Sequence, residues 1–161
     1  MFRTFTHEDA YNLSNNRNLK NTAKRLYNCG GYALGTFSWY CPYSEKDENN
    51  GGWFGFDCGY RTQEEAWKKT MYLVGFMLND FCGRLRVIQE LSDLERYEYA
   101  IAFRLSADGD FHYIKQGKNG TWYHKRGASE AIHTMNTEQV FAQSWCNRYK
   151  GPVVLLAMST K

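Results

Sequence analysis

The sequence lacks the cysteine spacing of a structural zinc site. Its five cysteines are Cys29, Cys41, Cys58, Cys82 and Cys146, and no two of them form a C-x-x-C pair. Structural zinc is commonly held by such closely spaced pairs, so we expect no metal, and we expect no other cofactor. The odd number of cysteines indicates reduced thiols rather than a disulfide framework.

The chain also lacks a long apolar run. Nothing in it approaches the roughly 18 consecutive apolar residues of a membrane-spanning helix. The segment Met1–His7 has no apolar stretch of the kind found in secretory signals. Together with the reduced cysteines, these absences predict a cytoplasmic protein with no membrane partner.

A strong excess of one charge is missing as well. The formal net charge is +3, which is too small to indicate a nucleic-acid partner by itself. The segment 115–126 is basic and contains Trp122 and Tyr123, a combination that can bind single-stranded nucleic acid. Lysines in a hairpin also discourage edge pairing of strands, and we favour that explanation.

What the chain does have is enough length and aromatic content for one packed domain. Its 161 residues include five Trp, twelve Tyr and ten Phe, so a core of ordinary size is expected. We therefore expect a single domain over residues 1–161. Residues 1–25 are polar and rich in asparagine, which predicts an irregular lead-in.

A first helix is predicted from about Cys29 to Trp39. Gly30 and Gly31 in its first turn are poor helix formers, and the close approach of a substrate or of another backbone would favour them there. Residues 41–62 have the composition of a loop.

The rest of the chain contains one strong helix signal followed by strands. Thr62 and Glu65 form a capping box before a segment of helical apolar spacing. A short last helix is expected from Asn136 or Thr137 to about Tyr149. Five strands are predicted over Leu85–Leu91, Tyr97–Leu105, Phe111–Gln116, Thr121–Arg126 and Pro152–Ala157. This order predicts an α+β fold with helices packed on an antiparallel sheet of about four to five strands.

Cys29, in the segment N-C-G-G-Y-A-L, is the first candidate for chemistry. A cysteine that opens a helix and is paired with a histidine far downstream is typical of a Cys–His nucleophile, because both surroundings lower the thiol pKa. The alternative is a buried structural cysteine. The other four cysteines lack this setting and are expected in the core or in loops.

His112 and His124 are the candidates for the base and for the group that orients it. His112 opens a predicted strand and could accept the thiol proton. In the predicted hairpin, His112 lies opposite about His124 or Lys125, so His124 is the candidate third member. The alternatives are a hydrogen-bonded sheet histidine and an outward-facing hairpin residue. Asp108 and Asp110 are expected to serve the turn.

Two polar side chains could contact the substrate. Asn28, with the backbone N–H of Cys29, could stabilise an oxyanion, although it could equally be the N-cap of the helix. Gln116 shares a strand face with His112 and could orient a substrate.

Three segments together resemble a known set of proteins. Asn28–Leu34, Asp110–Tyr113 and Gly120–Gly127 are similar to small bacterial and phage-borne proteins with the pattern N-C-x-x-Y-A-L … D-[FY]-H-[FWY] … G-x-W-x-H-K-x-G. Those proteins resemble the papain-like cysteine peptidase group, which includes amidase and transglutaminase relatives. The resemblance implies a papain-like fold with a cysteine nucleophile, a histidine base and a third polar residue.

The matched positions assign these roles to Cys29, His112 and His124 respectively. A histidine stands at the third position, where the group has Asp or Asn, and no clear glutamine precedes Cys29. The first hypothesis is therefore a cysteine hydrolase or acyl transferase that acts on an amide bond of a protein or peptide. The alternative is a non-catalytic papain-like binding protein, such as a mobile-element inhibitor that binds a host protein.

Overall fold

The computed structural model of the chain describes residues 27–36, 38–42, 45–47, 52–54, 58–125 and 132–161. The expected lead-in over residues 1–25 lies outside these ranges. In chain order the elements are α1 (Cys29–Ala33), β1 (Glu45–Asp47), β2 (Gly52–Phe54), α2 (Gln63–Asp80), β3 (Leu85–Ile88), a 3-10 turn (Leu91–Asp93), β4 (Glu98–Leu105), β5 (Phe111–Gln116), β6 (Trp122–Lys125), β7 (Ile132–Met135), α3 (Thr137–Val140) and β8 (Val154–Ser159).

The described residues form an α+β structure around one antiparallel sheet of six strands, in the order β3-β8-β4-β5-β6-β7. The closing strand β8 pairs with both β3 and β4, and its burial on two sides explains its continuous apolar run. The prediction of four to five strands was low by one, because β7 was missed. Only Ile132 of that strand is buried, and His133 and Thr134 are exposed, so its apolar pattern is weak.

Side chains of the central strands alternate between two packed faces. One cluster joins α1 and α2 to the sheet and includes Phe111 and Tyr113 of β5. A second cluster lies on the opposite face and includes Ile114, Trp145 and Tyr149. Because successive residues of a strand point to opposite faces, β5 contributes side chains to both clusters.

α2 begins where its capping signal predicts. The Thr62 side chain accepts a hydrogen bond from the Glu65 N–H at 3.1 Å. The Glu65 carboxylate accepts from the N–H of Arg61, one residue before the cap. The helix buries Leu73 and the other core positions of its apolar stripe, whereas Trp67, which shares the predicted spacing, is 49% exposed. No helix in the described ranges is long and apolar enough to cross a membrane.

Two other elements differ from expectation. The last helix ends at Val140 rather than near Tyr149. A helix could not have reached Tyr149, because Cys146 and Asn147 have φ values of 53° and 54°, which a right-handed helix excludes. The predicted loop 41–62 contains the β1–β2 hairpin, with register pairs from Glu45↔Phe54 to Asp47↔Gly52.

α1 is much shorter than the predicted helix, and its glycines explain both its position and its end. An ideal Cβ on Gly31 would lie 1.7 Å from the Ser38 carbonyl oxygen, and one on Gly30 would lie 3.1 Å from the Tyr40 carbonyl oxygen. The chain leaves the helix at Leu34, Gly35 has a φ of 74°, and the segment then returns across the helix. The expected close approach of another backbone to these glycines is therefore confirmed.

We expect Gly31→Ala to destabilise the protein, because the new methyl group overlaps the Ser38 carbonyl and forces the two backbone segments apart. Overpacking of this kind costs about 3 kcal/mol or more, which corresponds to a fall of roughly 6–12 °C in Tm for a chain of this length. Thermal unfolding followed by circular dichroism measures it.

The matched control is Gly75→Ala in α2. Gly75 is an exposed helical glycine with nothing within 4 Å of an added Cβ, so alanine should raise the free energy of unfolding by about 0.5–1 kcal/mol. An unchanged Tm for Gly31→Ala would mean that α1 and residues 38–40 do not pack as described.

Candidate active site around Cys29, His112 and His124

Cys29 is the first residue of α1 and lies against β5. The backbone N–H groups of Tyr113 and Gly30 face its thiol and act to lower the pKa of Cys29. Tyr113 directly follows His112 in the strand. The thiol therefore packs on the face of β5 that carries Phe111 and Tyr113, whereas His112 points from the opposite face toward Trp145 and Tyr149. Cys29 is only 5% exposed.

Asn28 ties the start of α1 to the segment that crosses it. Its side-chain oxygen accepts from the N–H groups of Gly31 at 2.9 Å and Tyr40 at 3.1 Å. Its amide nitrogen donates to the Tyr40 carbonyl at 2.7 Å. The N-cap alternative for Asn28 is thus confirmed. An oxyanion role remains a prediction, and it would use the amide hydrogen that does not bind the Tyr40 carbonyl.

Lys125 holds the residue before this cap. Its ammonium group donates to the Tyr27 carbonyl at 2.7 Å and lies 5.0 Å from the centre of the Tyr27 ring. Lys125 is fully buried at the end of β6, so this contact joins the entry of α1 to the strand that carries His124.

His112 and His124 meet in the interior. Nε2 of His112 lies 2.8 Å from Nδ1 of His124, with the rings nearly perpendicular at 84°. The side chains are 2% and 3% exposed. The expectation that the two imidazoles are within hydrogen-bond reach is confirmed, and the outward-facing alternative for His124 is wrong.

The register that brings them together differs by one residue from the predicted pairing of His112 with Lys125, and by two from its pairing with His124. β5 and β6 pair through Lys115↔Tyr123 and Gln116↔Trp122. Continued along the strands, this register places His124 opposite Ile114, two residues from His112. The two rings therefore meet diagonally, a distance that long or aromatic side chains can bridge.

Aromatic side chains enclose the imidazole of His112. The Tyr149 ring stacks on it with centroids 5.2 Å apart, and the Trp145 ring meets it edge-on at 6.2 Å. The Tyr149 hydroxyl donates to Asp110 at 2.8 Å, and Arg148 forms an ion pair with the same carboxylate oxygen at 3.0 Å. Asp110 thus does more than shape the turn, because it anchors the ring that backs His112.

The environment of Cys29 favours the neutral thiol. Burial is the largest effect and raises the pKa of Cys29 to about 12, with the nearby Asp110 carboxylate adding in the same direction. The N–H groups of Tyr113 and Gly30 act the other way and are outweighed. The expected lowering of the thiol pKa was therefore wrong, since a helix of only five residues provides little field to offset burial.

Gln116 does not reach the histidines. It lies four residues along β5 from His112, which is about 13 Å in a strand. Its amide donates to the Gly120 carbonyl at 3.2 Å, so its contact is with the hairpin turn. This separation argues against a shared substrate position with His112.

Sequence reasoning missed Lys125, Tyr149 and the second role of Asp110. Lys125 had a usable signal, since it is a lysine within an otherwise buried strand and next to His124. Tyr149 had none, because it follows β5 by many residues and reaches His112 only through an irregular segment. Among the described residues, no group of three or more His, Cys, Asp or Glu side chains could hold a metal ion.

Comparisons with known proteins identify no relative: no family model matches the chain, and no curated protein or solved structure gives a significant match.

In the free protein, we expect iodoacetamide to alkylate Cys29 more slowly than the exposed Cys82 and Cys146. At pH 8 a thiol of pKa 12 has about a thousandfold less thiolate than one of ordinary pKa, and Cys29 is also shielded. Because its pKa is raised, its labelling should increase with pH beyond the point where the exposed thiols level off. Peptide mapping by mass spectrometry measures each site.

Asp110→Asn should increase the rate at Cys29, because it removes a charge that disfavours the thiolate. Rapid labelling of Cys29 below pH 7, ahead of the exposed cysteines, would contradict the neutral thiol and indicate a thiolate–imidazolium pair with His112 instead.

Proposed function

We propose that the protein is a cysteine-dependent hydrolase or acyl transferase acting on an amide bond. The observation that supports it most is the 2.8 Å contact of His112 with His124, made from the strand against which Cys29 packs. A nucleophile, a base and a group that orients the base are the parts that such chemistry needs. A papain-like fold belongs to the same proposal.

The reaction would begin from a neutral thiol. Because His112 points from the opposite face of β5, this reaction requires the start of β5 to shift when substrate binds. The Cys29 sulfur then attacks the substrate carbonyl carbon as its proton passes to His112. Collapse of the tetrahedral intermediate breaks the C–N bond, and the imidazolium gives its proton to the departing amine. A thioester on Cys29 remains.

The second half returns the enzyme to its starting state. Water, or an acceptor amine in an acyl transfer, attacks the thioester carbonyl and gives a proton to His112. Release of the acid or the new amide breaks the C–S bond, and the imidazolium returns the proton to sulfur. The developing oxyanion would lie near the N–H of Cys29, with Asn28 as the side-chain candidate.

The substrate class stays broad. An amide in a protein, an isopeptide bond or a peptidoglycan stem peptide would each satisfy this chemistry.

A non-catalytic binding protein is the second candidate, and the burial of Cys29 favours it. A thiol that is 5% exposed and strongly protonated is also what a structural cysteine has. The proposed contact surfaces are then the basic hairpin of residues 115–126 and the aromatic segment 53–60, which lie partly outside the described residues.

An acylating reagent distinguishes the hydrolase from the non-catalytic binding protein. We expect p-nitrophenyl acetate to acetylate Cys29, since attack on an ester recruits His112 as a base and does not need a preformed thiolate. His112→Ala should slow this acetylation by about 10²–10⁴-fold, the usual contribution of a general base. His124→Ala should slow it by a smaller factor, because it removes only the orienting group. Peptide mapping and the release of p-nitrophenolate measure the rates.

The matched control is His133→Ala. His133 is exposed on β7, directly opposite His124 in the sheet, and its loss should leave the rate within about twofold. Acetylation that avoids Cys29, or that does not depend on His112 in variants with unchanged circular dichroism, would overturn the hydrolase and leave the binding protein.

A further inference from the structure

A second site is indicated at the other end of β5, away from His112. There the structure has a cavity of about 950 Å³, which lies in the range of small-molecule sites. It is bounded by the end of α1, the start of β4, the β5–β6 turn and the end of β8. Neither Cys29 nor His112 nor His124 lines it.

Cations dominate the wall of this cavity. Arg84, Arg96, Lys115 and Lys118 line it, and Glu98 is the one carboxylate among its described lining residues.

The charge of Glu98 is already matched. Arg86 binds it through two hydrogen bonds, at 2.8 Å and 2.7 Å. None of the ion pairs within the described ranges involves Arg84, Arg96 or Lys118. The cavity therefore carries an excess of positive charge that a ligand could match.

One of these basic side chains, Lys115, lies deep in the fold, where burial lowers its pKa to about 7. Lys115 is therefore only partly charged at neutral pH, and a bound anion would favour its charged form. The ammonium group of Lys115 lies 4.2 Å from the centre of the Tyr32 ring and 5.8 Å from that of Tyr99, and the residue is only 6% exposed. Tyr99 and Tyr123 line the cavity with Lys115. A ligand would thus meet positive charge together with aromatic surface.

We propose that this cavity binds a small organic phosphate. Several cations around one cavity match a group of two or more negative charges better than a single carboxylate, and guanidinium groups bind phosphate oxygens in pairs. The tyrosines provide a surface for the apolar or aromatic part of the ligand. This inference is independent of the proposed chemistry at Cys29, because the two sites share none of the residues that carry each argument.

Isothermal titration of the full chain with adenosine monophosphate, pyrophosphate and citrate in 50 mM NaCl tests it. We expect adenosine monophosphate to bind more tightly than pyrophosphate, and citrate to bind at least tenfold more weakly than either. The combined variant Arg84→Gln and Arg96→Gln should weaken phosphate binding at least tenfold. Raising the salt to 300 mM should weaken it as well.

The control is the combined variant Arg61→Gln and Lys68→Gln. It removes the same charge from exposed positions that do not line the cavity, and it should change affinity less than twofold. Lys118→Gln is a second test at an exposed hairpin position if the first pair lowers the Tm.

Three results would overturn the proposal. Failure of both phosphates to bind at millimolar concentration would remove the site. Equal losses in the cavity and control variants would reduce it to non-specific charge attraction. If citrate bound as tightly as adenosine monophosphate, the cavity would be a site for polycarboxylates rather than for phosphates.

Discussion

The position of Cys29 depends on the three hydrogen bonds of the Asn28 side chain. α1 has only five residues, too few to form without support, because helix nucleation is unfavourable and short helices gain little from propagation. Asn28 provides that support by capping the helix and binding both backbone groups of Tyr40. The missing side chain of Gly31 then lets the Ser38 backbone lie directly on the helix.

The sheet fixes the other side of the same helix. Lys125 binds the Tyr27 carbonyl, and the N–H of Tyr113 faces the thiol. These contacts come from β6 and β5, the two strands that also carry His124 and His112. The relative position of thiol and imidazoles is therefore determined by two adjacent strands and one cap, with little contribution from helix propensity.

The features of the fold and of the candidate site that the sequence predicts correctly are those with local sequence signals. The bounds of β5 and the cap of α2 were predicted correctly, because an alternating strand and a Thr62–Glu65 box are local patterns. The identity of the histidine pair was also predictable, since a hairpin restricts which residues of two strands can meet. The error in register did not affect the pair, because His124 is displaced by two residues from the position opposite His112, and an even displacement keeps a side chain on the same face.

The errors lie where distant segments decide the outcome. The length of α1 is set by a returning segment, and the packing of His112 is set by Tyr149, which no local pattern connects to β5. The thiol pKa was mispredicted for the same reason. A helix N-terminus and a histidine are visible in the sequence, whereas complete burial beside the Asp110 carboxylate is a property of the folded chain.

The buried histidine pair and the protonated thiol are physically consistent with each other. Two imidazoles that share one N···N hydrogen bond need one donor and one acceptor at that bond, so charging both rings would place two N–H groups face to face. A thiolate at Cys29 would in turn leave a buried negative charge beside Asp110. The interior therefore disfavours a second charge on the histidine pair and a thiolate at Cys29. Both features thus follow from the same burial, which keeps net charge out of the region between β5 and its two packed faces.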